Sequence, residues 1–422
     1  MRMVASSRYE DITSVSMKRS LWSRRPAPTT GFAVSAVALI AATYGLARLG
    51  YGLFLPAFSA SFSLSPTVAG LTSSGASVLY CVAAAVGLRY APGHPRAVTL
   101  LAGLSAALGS IGVACAQDTA MFTGAVLLAG TGAGFASPAL VALVQRNTDP
   151  SRQGRLQSVV NSGTGFGVVA AGILSLVLGD AWRVAWVLIA AIALTSVLSV
   201  LRLDRILAAP AGNGPRRRDA PSLFARSAFR GLGRPLAGAF VFGLGCAAVW
   251  VYGRATLQES GGMAPATSAG AWMALGAGGA CAILAARWLA DHPVPTTWSV
   301  TTLGTAGATA LLGTAAGNPV LAYLAAAAFG LAYTAATSVL ILWASAAAGN
   351  SAAGTSLLFT ALVLGQAAGA PLVGSLIEAG GPALAFSAAA VACAAGAAVT
   401  AGSRWTIRTP TTADPARPRG SR

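Results

Sequence analysis

Ile40-Ala41-Ala42-Thr43-Tyr44-Gly45-Leu46-Ala47-Arg48-Leu49-Gly50-Tyr51-Gly52 sets one charge in the middle of a long apolar run. A guanidinium at bilayer depth is costly, so it faces a bundle interior or a water-filled cavity. In this reading Arg48 is the only charge in the middle of an apolar span, and it marks a hydrophilic path through a membrane. It is the first candidate for contact with a passing solute.

The surrounding composition supports a lipid environment. Of 422 residues, 55% are hydrophobic and only 9% charged, against about 25% charged in an ordinary soluble domain. About 20 apolar residues make one helical crossing. Twelve such spans are expected, roughly 31–56, 67–88, 97–116, 120–144, 157–178, 184–202, 235–256, 267–289, 295–315, 319–344, 353–377 and 383–402. Asn161 and Gln366 interrupt the fifth and the eleventh. The expected fold is an all-α membrane protein of two pseudo-symmetric six-helix bundles, 31–202 and 235–402. These are flanked by a basic tail 1–30, a basic connector 203–234 and a tail 403–422.

A net charge of +17 could suggest nucleic acid as a partner, but its distribution excludes it. If the spans are right, 25 of the 28 Lys/Arg fall in the tails and in loops on one face, leaving Arg183 and Arg254 on the other and Arg48 between. That is the positive-inside bias, and it predicts both termini in the cytoplasm. Because the tails and the connector are all basic, each half must hold an even number of spans. Trp182, Trp186, Trp272, Trp288, Trp298, Trp343 and Trp405 fall near span ends, where headgroup-level anchors are expected. No cleavable signal is visible: the N-terminal tail is long and polar, and the first apolar run is a full span. One Lys against 27 Arg suggests a GC-rich bacterial genome, hence a bacterial inner membrane.

Cys81, Cys115, Cys246, Cys281 and Cys393 lack metal-ligand or paired spacing and read as packing residues. No metal or cofactor is expected. The glycine runs 130–134 and 163–167 follow no strand and lack the lysine of a phosphate loop. Small residues so spaced let apolar helices approach closely. Gly365, Gly369 and Gly374 read the same way, with Pro371 as a kink. In the connector, Ser222 to Arg230 could form a short interfacial helix or stay a loop.

Tyr44-Gly45-Leu46 in the first span is echoed by Phe242-Gly243-Leu244 in the seventh. Two six-span halves joined by a basic connector resemble the major facilitator superfamily over essentially the whole chain. The loop Gly87-Leu88-Arg89-Tyr90-Ala91-Pro92-Gly93-His94-Pro95-Arg96 keeps the opening glycine and final arginine of that family's G-x-L-A-D-R-x-G-R-R motif, with Ala91 in place of the acid. The second half keeps Leu289-Ala290-Asp291. Of the family's R-x-x-x-G-x-G in the fourth span, Gly132-Ala133-Gly134 remains, with Leu128 in the arginine's place. Arg152-Gln153-Gly154-Arg155 and Trp182-Arg183 also look familiar. The resemblance implies alternating access between the two bundles, and a gating role for Arg96 and Asp291. It also implies a cavity lined by the first, fourth, seventh and tenth spans.

Tyr44, Arg48 and Tyr51 fall at i, i+4 and i+7, so they are expected on one helix face. Milder polar stripes are Ser73, Ser77 and Tyr80 on the second span, Asn161 and Thr164 on the fifth, and Tyr333 and Thr337 on the tenth. Cys246, Trp250 and Arg254 share a face of the seventh, and Gln366 stands alone in the eleventh. The candidate substrate contacts are therefore Arg48, Tyr44, Tyr51, Trp250, Tyr333, Asn161 and Gln366. Each has a structural alternative: packing for the rings, interhelical hydrogen bonding for the amides, carbonyl pairing for Arg48.

All eleven Asp/Glu fall in tails, loops or span ends, and both His in loops. Proton relays use buried acids or His, and exporters of drug cations need an acid. The expected cargo is a small organic anion or a carboxylate-bearing neutral compound. A weakly acidic cargo carrying its own proton, facilitated diffusion and anion exchange are the routes left open. The partners expected are this solute and the lipid bilayer, with the monomer as the working unit. The competing classes are an efflux carrier for a neutral drug-like compound and a non-transporting receptor or regulator. An enzyme is disfavoured, because no acid, His or metal cluster gathers near an interface.

Overall fold

The computed structural model describes residues 30–204, 232–347 and 351–399. Among these, ten helices are long and apolar enough to cross a bilayer. In chain order the first eight are α1 (Thr30–Phe62), α2 (Pro66–Tyr90), α3 (Pro95–Cys115), α4 (Thr119–Asn147), α5 (Pro150–Leu178), α6 (Trp182–Leu203), α7 (Gly233–Ser260) and α8 (Pro265–Asp291). Next come α9 (Val294–Thr314) and α10 (Pro319–Ala347). Ser351–Ala398 then runs for 48 residues, more than twice a bilayer crossing. Gly381, at φ 79 just before Pro382, breaks it into α11 and α12. α9 is less apolar because it is rich in threonine. Its Thr301, Thr302, Thr305 and Thr309 hydroxyls donate to carbonyls one turn back, so these buried hydroxyls are satisfied within the helix.

The helix ends follow from local sequence. Pro66 and Pro95 sit at first-turn positions, where no backbone N–H is needed. Ser65 and Asp118 cap α2 and α4 by accepting from Val68 N–H and Met121 N–H. Gly179 closes α5 at φ 53.

Two helix crossings repeat in the two halves of the chain. A Cβ on Gly45 of α1 would lie 2.4 Å from the Gly167 Cα of α5. A Cβ on Gly243 of α7 would lie 2.1 Å from the Leu362 carbonyl oxygen of α11. The weak Gly45/Gly243 echo in sequence thus marks equivalent backbone contacts, α1 on α5 and α7 on α11. Glycine runs 130–134 and 163–167 serve packing, except at Gly165, which meets nothing within 4 Å.

The halves touch chiefly away from the connector. There Gly52 of α1 meets the Trp250 carbonyl of α7, and Gly70 of α2 meets Tyr252 and Ala370. Gly172 of α5 meets Met273 of α8. Tyr252 donates to the Pro66 and Ala370 carbonyls at 2.8 and 2.7 Å. Thr67 donates to Glu378 from the first turn of α2. This end of the molecule is closed.

One expectation needs correction. The tryptophans near span ends are not a headgroup belt: Trp182, Trp186, Trp272, Trp298 and Trp343 are buried. Trp182 and Trp186 sit edge-on to Phe58 and Phe54 inside an aromatic core, because protein packing offered these rings more contact than the lipid boundary. Arg254, expected near the outer end of the seventh span, is buried in the last turns of α7. Asp204 stands at the end of α6, as expected, and is 5% exposed. The segment 222–230 and Trp405 lie outside the described residues.

Candidate functional site

Ala41–Arg48 of α1 is π-helical. Leu49 N–H donates to the Tyr44 carbonyl, five residues back, at 2.9 Å. One inserted residue turns everything beyond it by about 100° relative to an α-helix. Tyr44 and Arg48 both engage Tyr80, while of the two tyrosines only Tyr51 lines the same cavity as Arg48. Matching wide turns occur in α7 at Ala248–Tyr252 and Thr256–Ser260.

The Arg48 guanidinium stands over the Tyr80 ring of α2, 4.5 Å from its centroid. The Tyr80 hydroxyl bonds that of Tyr44 at 2.8 Å, and Tyr44 also meets the Ser137 hydroxyl at 3.0 Å. Among the described residues Arg48 has no hydrogen-bond or ion-pair partner. Arg48 lines a cavity between the two halves, beside Gly52 and Trp250 of the closed end. Ser73 and Ser77 of α2, Trp250 of α7 and Gln366 of α11 supply the other polar groups there. Ala76, Val126, Ala247 and Val251 supply apolar wall. No Asp or Glu lines the cavity.

Tyr51 lines the cavity too, but its hydroxyl is spent on the Ala69 carbonyl at 2.9 Å, and it is 4% exposed. Tyr333 accepts from the Gln366 amide at 3.1 Å and stands 5.3 Å from Trp250, ring centre to ring centre. Trp250, Tyr333 and Gln366 are thus brought together opposite Arg48. Asn161 is not: it is exposed at a break in α5 and accepts from Gln157 at 3.2 Å.

Arg254 points elsewhere. It donates to the Leu53 and Pro265 carbonyls and to the Ser268 hydroxyl. It has the carbonyl-paired structural role that was weighed for Arg48, and it joins α7 to α1 across the halves. Arg96 bonds Asp204 at 2.8 Å, within its own half. Asp204 also accepts from Arg146 and from Asn147. Asp291 is exposed at the end of α8 with no ion pair among the described residues. Sequence reasoning missed Ser137 and the Asp204 cluster, because both assemble from helices distant in the chain.

A helical membrane protein closed at one end, with a cation in a central cavity between two halves, has the build of a solute carrier. The Major Facilitator Superfamily model matches residues 37–361. The chain belongs to that superfamily. Among solved structures, a bacterial homologue of the human lysosomal transporter Spinster, inward-facing and unoccupied, aligns at 15% identity and TM-score 0.66. The match covers 88% of this chain and 94% of that one. A nucleoside transporter aligns at 14% identity and TM-score 0.67, covering 88% and 96%. A D-xylose–proton symporter aligns at 12% identity and TM-score 0.68, covering 89% and 98%. No curated protein matches the chain. The protein is a membrane transporter of this superfamily.

Proposed function

We propose that the protein carries a small organic anion, or a compound bearing a carboxylate-like group, across the bacterial cytoplasmic membrane by alternating access, with Arg48 as its contact. The supporting observation is the state of Arg48, a cation with no hydrogen-bond or ion-pair partner among the described residues that lines a cavity with no Asp or Glu. A guanidinium fork matches a carboxylate in two parallel hydrogen bonds. The halves 31–202 and 235–402 then rock about this site. One chain contains the whole cavity, which favours the monomer as the working unit. The basic tails and connector favour a cytoplasmic location for those segments, so the closed end would face outward. With no acid at mid-span, a proton would cross on the cargo. Otherwise an anion crosses alone, and the membrane voltage adds about 2.3 kcal/mol per charge per 100 mV. Counterflow in proteoliposomes tests this: preloading with an unlabelled carboxylic acid should accelerate entry of the labelled one. Failure across a broad panel of organic acids, with neutral solutes carried instead, would overturn the anionic assignment.

A further inference from the structure

The cavity carries more hydrogen-bond donors than acceptors, and the surplus lies on both walls. On the α1 side are the Arg48 N–H groups. On the α7/α11 side, Trp250 and Gln366 line the cavity, and the Trp250 Nε1–H is occluded, turned towards the Tyr333 hydroxyl without reaching full hydrogen-bond geometry. It sits beside the Tyr333–Gln366 pair. That pair leaves a donor over whichever way the amide is turned. If the amide N–H donates to Tyr333, the phenol hydrogen and one amide hydrogen are left against the amide carbonyl; if the carbonyl accepts from Tyr333, both amide hydrogens are left against the phenol oxygen. A buried donor without a partner is costly and calls for an acceptor. All the donors on this second wall are neutral, and the nearby cation on α7, Arg254, is committed to carbonyls. A second carboxylate would be desolvated there with no counter-charge.

We propose that the cargo is a monoanion with a second, neutral acceptor at a distance from its carboxylate. The carboxylate rests on Arg48, and a carbonyl or hydroxyl oxygen takes the Trp250 Nε1–H together with Gln366. A compact apolar body fits the Ala76, Val126 and Val251 walls between. This specificity site deepens the anion reading and rests on it. Because the two ends of the cargo would touch opposite halves, a plain carboxylate engages one half and the bifunctional one engages both.

Two ladders of matched acids test the assignment on full-length protein in nanodiscs: valerate, levulinate and glutarate, then para-ethylbenzoate, para-acetylbenzoate and terephthalate. Dissociation constants would be read by calorimetry. The ketone-bearing monoanion should bind about three- to tenfold tighter than its plain and its dianionic counterparts in at least one ladder. In Trp250→Phe, which keeps a ring against Phe329 and Tyr333, the ketone-to-plain ratio should fall towards one, and Gln366→Leu should act the same way. In Arg48→Gln, all monoanions should lose affinity. Equal binding of ketone and plain acids by the native protein would overturn the second site and leave Arg48 as anion contact. So would a ratio that Trp250→Phe leaves intact. No binding of any acid would overturn both.

Discussion

The backbone N–H and the hydroxyl of Thr67 donate to the two carboxylate oxygens of Glu378, at 2.9 and 2.8 Å. This contact bridges α2 and α11, hence the two halves, at the closed end. The amide belongs to the first turn of α2, where an anion is favoured by the helix dipole. Glu378→Ala should leave the fold intact and shift the population towards opening at this end. Spin labels near the ends of α2 and α11 should report a longer or broader distance. An unchanged distribution would mean that Tyr252 and the glycine contacts close this end unaided.

Arg254 and Arg48 are both arginines inside helices, yet their predicted phenotypes differ. Arg254→Met strips donors from the Leu53 and Pro265 carbonyls and from Ser268. Ser268 and the Pro265 carbonyl keep their bonds from Gln258 and Ser268, so the cost is that of the lost charge-assisted hydrogen bonds, about 1.5–3 kcal/mol each. The variant should lose thermal stability in detergent, with ligand affinity following stability. Retained melting temperature would contradict the clamp.

Two glycines of α1 give a contrast. An alanine Cβ at Gly45 would lie 2.4 Å from the Gly167 Cα within one half, and at Gly52 1.9 Å from the Trp250 carbonyl oxygen across the halves. Overpacking costs about 1–3 kcal/mol. Gly45→Ala has no conformational escape and should lower stability. Gly52→Ala can relieve the clash by parting the halves, so it should shift label distances at the closed end with a smaller stability loss. Equal melting shifts with no distance change would contradict the distinction.

Asp204 is buried with three partners, Arg96, Arg146 and Asn147. Asp204→Ala should destabilise by about 2 kcal/mol or more, since it leaves cations and an amide without their acceptor. Arg96→Ala should cost less, because Arg146 and Asn147 still hold the acid. Chemical denaturation of both variants would check the ranking. An equal loss in the two would show that Arg96 carries the cluster.

Span positions and the all-helical class were legible because apolar runs set helix length directly. The break at Gly381 was also legible, since glycine and proline there interrupt the apolar run. Arg48, Trp250 and Gln366 stood out as polar groups in apolar helices, and they line one cavity. Tyr51 lines the same cavity, but its hydroxyl bonds the Ala69 carbonyl, a tertiary pairing that helical periodicity does not reveal. Asp204 was placed correctly at a span end, but its partners were not legible, because Arg96 and Arg146 reach it from helices far off in the chain. Cys246 and Cys393 likewise meet at 3.9 Å although 147 positions apart. Tertiary pairings of this kind leave no local trace.

The central claim is that Arg48 holds the cargo's anionic group. The most direct measurement is carboxylate transport by Arg48→Gln and Arg48→Lys beside the native protein in proteoliposomes, with folding checked by melting temperature. Losing a charge-assisted hydrogen bond costs about 1.5–3 kcal/mol, so Arg48→Gln should lose about tenfold or more in transport efficiency. Arg48→Lys, which keeps charge but not the fork, should fall between. Native rates in Arg48→Gln would contradict the account.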